Sequence, residues 1–144
     1  MALNDQKFMR DAVNASLDSK DPSTKVGCVI VRPDRTTASA GFNGFPRGVK
    51  DLPERYADRD TKYALTVHAE ANAIVTAREP LHGYTLYCTH SPCHECAKLI
   101  VQAGIKRVVS PPPSEELMSR WAEPFKNARL ILDEGGVNLE WRTA

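Results

Sequence analysis

The chain has no excess of either charge. Nineteen Lys and Arg stand against eighteen Asp and Glu, a formal net charge of +1. A domain that grips a polyanion is usually far more basic, so no nucleic-acid partner is expected. No apolar run comes near the roughly 18 residues of a membrane helix, and no membrane association is expected. Met1 to Arg10 carries Asp5, Lys7 and Arg10 and no apolar core, so no signal peptide is read there. Internal repeats and low-complexity tracts are missing too, beyond the short Pro111-Pro112-Pro113 spacer. Cysteine is scarce. Of four, Cys28 and Cys88 sit in apolar runs and are assigned to the core. Such usage suits a reducing, cytoplasmic setting better than a disulfide framework. At 144 residues the expectation is one domain, 1–144, with a core of ordinary size.

What is present alternates between two periods. Met9, Val13 and Leu17 fall four apart and predict a helix over 5–19, stopped by Asp21-Pro22. Val26–Val31 is nearly unbroken apolar and β-branched, the pattern of a strand covered on both faces. Pro33-Asp34-Arg35 supplies a turn, and Thr36–Phe42 returns as a hairpin partner. The stretch 43–67, with Gly44, Pro46, Gly48 and Pro53, is irregular or partly helical and is expected to wall a site. Helices follow over 69–78, 93–103 and 114–132, and strands over 84–89, 106–110 and 137–141. Pro124 must break or kink the last helix. Strand–helix–strand alternation favours parallel connections with helices on both faces. The fold class is therefore α/β: a three-layer α/β/α sandwich on a five-stranded mixed sheet with an antiparallel hairpin at one side.

The chemistry concentrates in His68-Ala69-Glu70 and Pro92-Cys93-His94-Glu95-Cys96. One imidazole and two thiolates suit zinc, and three protein ligands leave a fourth position open, as catalytic sites require. His68, Cys93 and Cys96 are the candidate ligands of a Zn2+ ion. Glu70 is the candidate proton carrier for a water at that site. Cys93 and Cys96 lie three apart at a helix start, where partial positive charge favours thiolate. His94 is read as a solvent-facing helix residue, since a fourth ligand would close the site. His82 and His90 are read as ordinary core or surface histidines. Trp121 and Phe125, four apart, are read first as core or subunit contacts. The order H-x-E then P-C-x-x-C is the signature of zinc nucleobase deaminases.

The resemblance becomes specific when four runs are taken together. These are Asp21-Pro22-Ser23-Thr24-Lys25-Val26-Gly27, Gly41-Phe42-Asn43-Gly44-Phe45-Pro46-Arg47-Gly48, His68-Ala69-Glu70-Ala71-Asn72-Ala73-Ile74 and Ser91-Pro92-Cys93-His94-Glu95-Cys96-Ala97-Lys98. In order and register they resemble the deoxycytidylate (dCMP) deaminase family of the zinc-dependent cytidine/deoxycytidylate deaminases. That resemblance implies hydrolysis of dCMP to dUMP and ammonia, supplying thymidylate synthesis, by a homo-oligomer. It implies that Asn43 contacts sugar or base, and that Thr24 and Lys25 lie near the 5′-phosphate. Backbone groups near Ala69 and Ser91 would orient the ring and its amino group. Among single cations, Lys25 is preferred over Arg47, Arg59 and Lys62 as the phosphate partner. Phe42 stands where regulated family members carry a tyrosine, which questions control by dCTP and dTTP. Related substrates (dCTP, modified dCMP, cytidine, adenosine in tRNA) remain alternatives, and a non-catalytic binding role is the rival of another class.

Overall fold

Successive residues of a strand point to opposite faces, and in the central strands of this chain both faces are apolar. The computed structural model describes residues 3–142. In order it contains α1 (Leu3–Ser16), β1 (Gly27–Val31), β2 (Thr37–Phe42), α2 (Pro53–Ala57), α3 (Arg59–Leu65), α4 (Ala69–Thr76), β3 (Thr85–Cys88), α5 (His94–Gln102), β4 (Arg107–Ser110), α6 (Glu115–Glu134) and β5 (Asn138–Trp141). The strands form one sheet in the order β2-β1-β3-β4-β5. Strand β1 runs antiparallel to β2 and β3, whereas β3, β4 and β5 are parallel. The mixed sheet and its flanking hairpin match the sequence reading.

Two clusters fill the space above and below the sheet. Cys28, Ile30, Leu86, Cys88 and Val108 pack with Ala73 of α4, Ile100 of α5 and Leu132 of α6. Val29, Val31, Tyr87 and Val109 meet Phe8, Met9 and Ala12 of α1. One face thus carries a single helix and the other carries three. All five residues of β1 are buried, which is why that run shows no polar alternation. Each large side chain buried there contributes about 1.5–3 kcal/mol against exposure.

Helix α1 ends at Ser16, earlier than its apolar spacing suggests. The Ser16 hydroxyl donates to the Val13 carbonyl, and the Leu17 and Asp18 amides each bond three residues back, a tightening turn. Helix α6 continues to Glu134 through Pro124, and its break falls at Trp121 (φ −128°, ψ 33°). The Pro124 ring crowds the carbonyl four residues earlier and offers no N–H to it. Segment 43–67 holds two short helices without a buried residue. Its ends are tied by paired backbone bonds between Gly44 and Val67.

Two contacts set the depth of the site. A Cβ on Gly41 would lie 2.6 Å from both the Ala69 carbonyl oxygen and the Ala73 amide nitrogen. Helix α4 therefore rests backbone against backbone on β2. On the opposite face a Cβ on Gly27 would run into the Ala12 carbonyl oxygen and lie 2.5 Å from the Ser16 amide, so α1 sits closer still. At the far edge Arg107 joins Asp5 (2.8 Å) and Glu140 (2.6 Å), and the Tyr87 hydroxyl donates to Asp5. Arg107 holds the Asp5 and Glu140 carboxyls below their ordinary range. Burial, reinforced by Asp5, pushes Tyr87 up to about 12.

Candidate active site

Two helix starts face one another on the three-helix side. His68 precedes α4 and Cys93 precedes α5, both with extended backbone (ψ 155° and 173°), and neither side chain caps its own helix. Both side chains are thereby left to converge. The Nδ1 of His68 stands 3.3 Å from Cys96 Sγ and 3.5 Å from Cys93 Sγ, and the three donor atoms lie within 4.8 Å of one another. Zinc–sulfur bonds near 2.3 Å and zinc–nitrogen bonds near 2.0 Å make the edge of a tetrahedral site about 3.6 Å. The donor set and its spacing fit such an ion. A hydrogen bond from Cys96 and the neighbouring His68 hold the Cys93 thiol down at about 4. The hydrogen bond with Cys93, and then burial, push Cys96 the other way. Cys93 in turn raises His68 to about 8. A divalent cation at this point replaces those protons.

Glu70 lies in the first turn of α4, 4% exposed, and burial pushes its carboxyl above the ordinary glutamate range against the pull of His68. It opens into a cavity of about 440 Å³ whose wall includes the buried Ala69 and Glu70 together with His68 and Cys93. Thr24, Asn43, Ala69 and Ser91 line the same cavity. Asn43 also fixes the local turn: its Oδ1 accepts from the Val26 amide and its Nδ2 donates to the Thr24 carbonyl, both at 2.9 Å. The Ser91 hydroxyl accepts from the Trp141 indole at 3.2 Å.

Lys25 is not among the lining residues. Its ammonium donates to the Ser19 carbonyl. The Asp21 carboxylate accepts from the Ser23 and Thr24 amides (2.9 and 3.0 Å), and the chain leaving that turn carries Lys25 away. The cation that reaches the cavity is Lys62 of α3, 3.0 Å from Asp21 Oδ1 and 2.8 Å from Ser23 Oγ.

Further residues not assigned to the site from the sequence also line the cavity. His94 lines the cavity instead of facing only solvent, with Nε2 3.2 Å from Glu95 and a buried Nδ1 that has no partner. His90, read as ordinary, is also a wall residue, and burial lowers its pKa. Its place just past β3 was the available signal, since crevices in such sheets open at the carboxyl ends of strands. Trp121 and Phe125 line the cavity too, because the break in α6 turns that stretch across its mouth.

Comparison with known proteins agrees with this geometry. Residues 3–111 match the profile of the cytidine and deoxycytidylate deaminase zinc-binding region. The chain is 43% identical over 136 residues to an uncharacterized deaminase of Aliivibrio fischeri, covering 94% of this chain and 91% of that one. It is 43% identical over 138 residues to the deoxycytidylate deaminase of Pongo abelii, covering 92% and 75%. Among solved structures it is similar to the dCMP deaminase of cyanophage S-TIM5 in complex with dCMP and dUMP. That match has a TM-score of 0.78, 29% identity and 99% of both chains covered.

Proposed function

Because the chain belongs to the cytidine and deoxycytidylate deaminase family, we propose that its reaction is the zinc-dependent hydrolysis of dCMP to dUMP and ammonia, which supplies dUMP for thymidylate synthesis. One observation carries the reading: a buried carboxyl, Glu70, opens into a nucleotide-sized cavity beside a converged His68–Cys93–Cys96 set.

His68, Cys93 and Cys96 hold the zinc ion. When bound, zinc supplies Lewis acidity that brings the ionisation of a water into the neutral range. Glu70 does the proton work. It takes one proton from the attacking water and passes it to N3 as the C4–O bond forms, then takes the proton of the new C4 hydroxyl and delivers it to the amine, which leaves as ammonia while C4=O forms. A group in both roles has to titrate near the working pH, and burial moves the Glu70 carboxyl in that direction. The Ala69 backbone and Ser91 orient the ring, with Asn43 beside sugar or base and Thr24 toward the 5′-phosphate. Lys62, in place of Lys25, meets the 5′-phosphate, being the one Lys or Arg among the lining residues.

The same reading makes the protein a cytoplasmic homo-oligomer, one domain over 1–144. Four free cysteines support the compartment, and exposed Val75 and Leu130 offer apolar surface for a second copy. Strand β5, past the matched region, completes the same sheet. Among the described residues no helix is long and apolar enough to cross a membrane.

Ammonia release on dCMP, deoxycytidine and dCTP by the zinc-loaded protein tests the proposal. Turnover of dCMP far above the other two supports it, and Lys62→Ala should then raise KM for dCMP while leaving deoxycytidine unmoved. No turnover of any of the three would sink it.

A further inference from the structure

The mouth of the cavity is built differently from its floor. Tyr63 of α3 and Trp121 of α6 meet edge to face there, ring centroids 6.2 Å apart at 80°. Both rings line the cavity, yet they stay 53% and 42% exposed. Core aromatics are closed over on every side; these leave ring surface turned to whatever enters. The backbone explains the placement. At Trp121 the helix leaves helical geometry, and Pro124, three residues on, is the cause. The break brings Leu117, Trp121 and Phe125 across the opening.

None of the residues of α6 from Glu115 to Phe125 is buried. Its buried residues are Ala128 and Leu132, both past the break. Leu117 and Trp121 line the cavity, and neither is buried, so a molecule that fills the cavity meets apolar surface there.

Resting on the dCMP reading above, we propose that Trp121, propped by Tyr63, is a specificity-determining residue that lies over the sugar and pyrimidine of a single nucleotide and restricts the site to free mononucleotides. Aromatic side chains stack on any base through its π-face. The volume of about 440 Å³ falls in the range of small-molecule sites. Holding a strand takes a basic groove that tracks successive phosphates. Here the lining offers Lys62 alone, already shared with Asp21. Such a site meets one phosphate, and the aromatic roof crosses the path a continuing chain would take.

Zinc-loaded wild type, Trp121→Ala and Trp121→Phe are compared on dCMP and on a three-nucleotide single strand with a central deoxycytidine. Unreactive dUMP serves as the binding probe. Trp121→Ala should raise KM for dCMP about ten- to hundredfold, the effect of losing one base–aromatic contact. It should move kcat much less, and Trp121→Phe should recover most of the loss. Saturating dUMP should shift the tryptophan emission of the wild type, and that shift should vanish in Trp121→Phe, where Trp141 alone emits. The strand should not be turned over by the wild type. An unchanged KM in Trp121→Ala, an unshifted emission under saturating dUMP, or strand turnover equal to that of dCMP would overturn the assignment. Equilibrium dialysis separates this from the parent reading. If the wild type fails to bind dUMP at all, the mononucleotide site itself is wrong, and the role of Trp121 falls with it.

Discussion

Replacing Glu70 by Gln preserves shape and removes the proton carrier. A single acid–base role is worth about 10²–10⁴ in rate. Because Glu70 serves both the attack and the departure, the expected loss in kcat is on the order of 10⁴, roughly 5 kcal/mol of barrier. Zinc content should not change, since Glu70 is not one of the three converged donors. Stability should move the other way. Burial raises the Glu70 carboxyl, so the folded state binds the proton more tightly than the unfolded chain. The cost of the charged form is absent below the ordinary glutamate range near 4.3 and grows as pH rises through the raised value. At pH 7 the zinc-free variant should be more stable than zinc-free wild type by about 1–3 kcal/mol, or about 2–4 °C in Tm for each kcal/mol. The gap should close on acidification toward pH 4. The checks are ammonia release, zinc content and melting curves across pH. Turnover within tenfold of wild type, or a stability gap that widens in acid, would refute the reasoning.

Arg107→Ala removes the shared partner of Asp5 and Glu140 and should cost about 1–3 kcal/mol, discounted because the guanidinium stays partly wet. Both carboxyls are held low, so their stabilisation is full above the ordinary carboxylate range and is lost as pH falls through the lowered values. Denaturant melts at pH 7 and pH 3 should differ less in the variant than in wild type. Gly41→Ala forces α4 off β2 by pressing on the backbone of Ala69 and Ala73. It should destabilise by about 1–3 kcal/mol and reduce kcat more than the stability loss explains, read by calorimetry beside kinetics. Cys93→Ser should lower zinc occupancy and melting temperature together, and a chelator should bring wild type to the same melting temperature.

The parts legible in the sequence were those whose chemistry is contiguous. His68 and Glu70 fall in one turn, Cys93 and Cys96 in another, and both turns open helices on strands the apolar pattern already located. That Lys62 and not Lys25 lines the cavity follows from the direction of a turn. The Asp21 carboxylate wraps the chain at Ser23 and Thr24, and the Lys that lines the cavity comes from α3, in the segment whose ends the Gly44–Val67 pairing ties together. Trp121 and Phe125 carry the spacing of a core stripe, which is also the spacing of a cavity wall. Pro124 announced the break in the helix but not the side to which it turns.

The two glycines of the hairpin act as a spacer gauge. Gly41 pairs with Cys28, and Gly27 with Phe42, so the sheet is thinnest where the catalytic helix rests on it. Helix α4 is therefore referenced to the main chain of β2, a spacing that a side chain at Gly41 itself would break. Elsewhere in the core, a swap of Val for Ile shifts a neighbour by fractions of an ångström. At Gly41 there is no side chain to swap. The depth of Glu70 is thus separated from the volumes of the surrounding core side chains: repacking the interior moves other contacts before it moves this one.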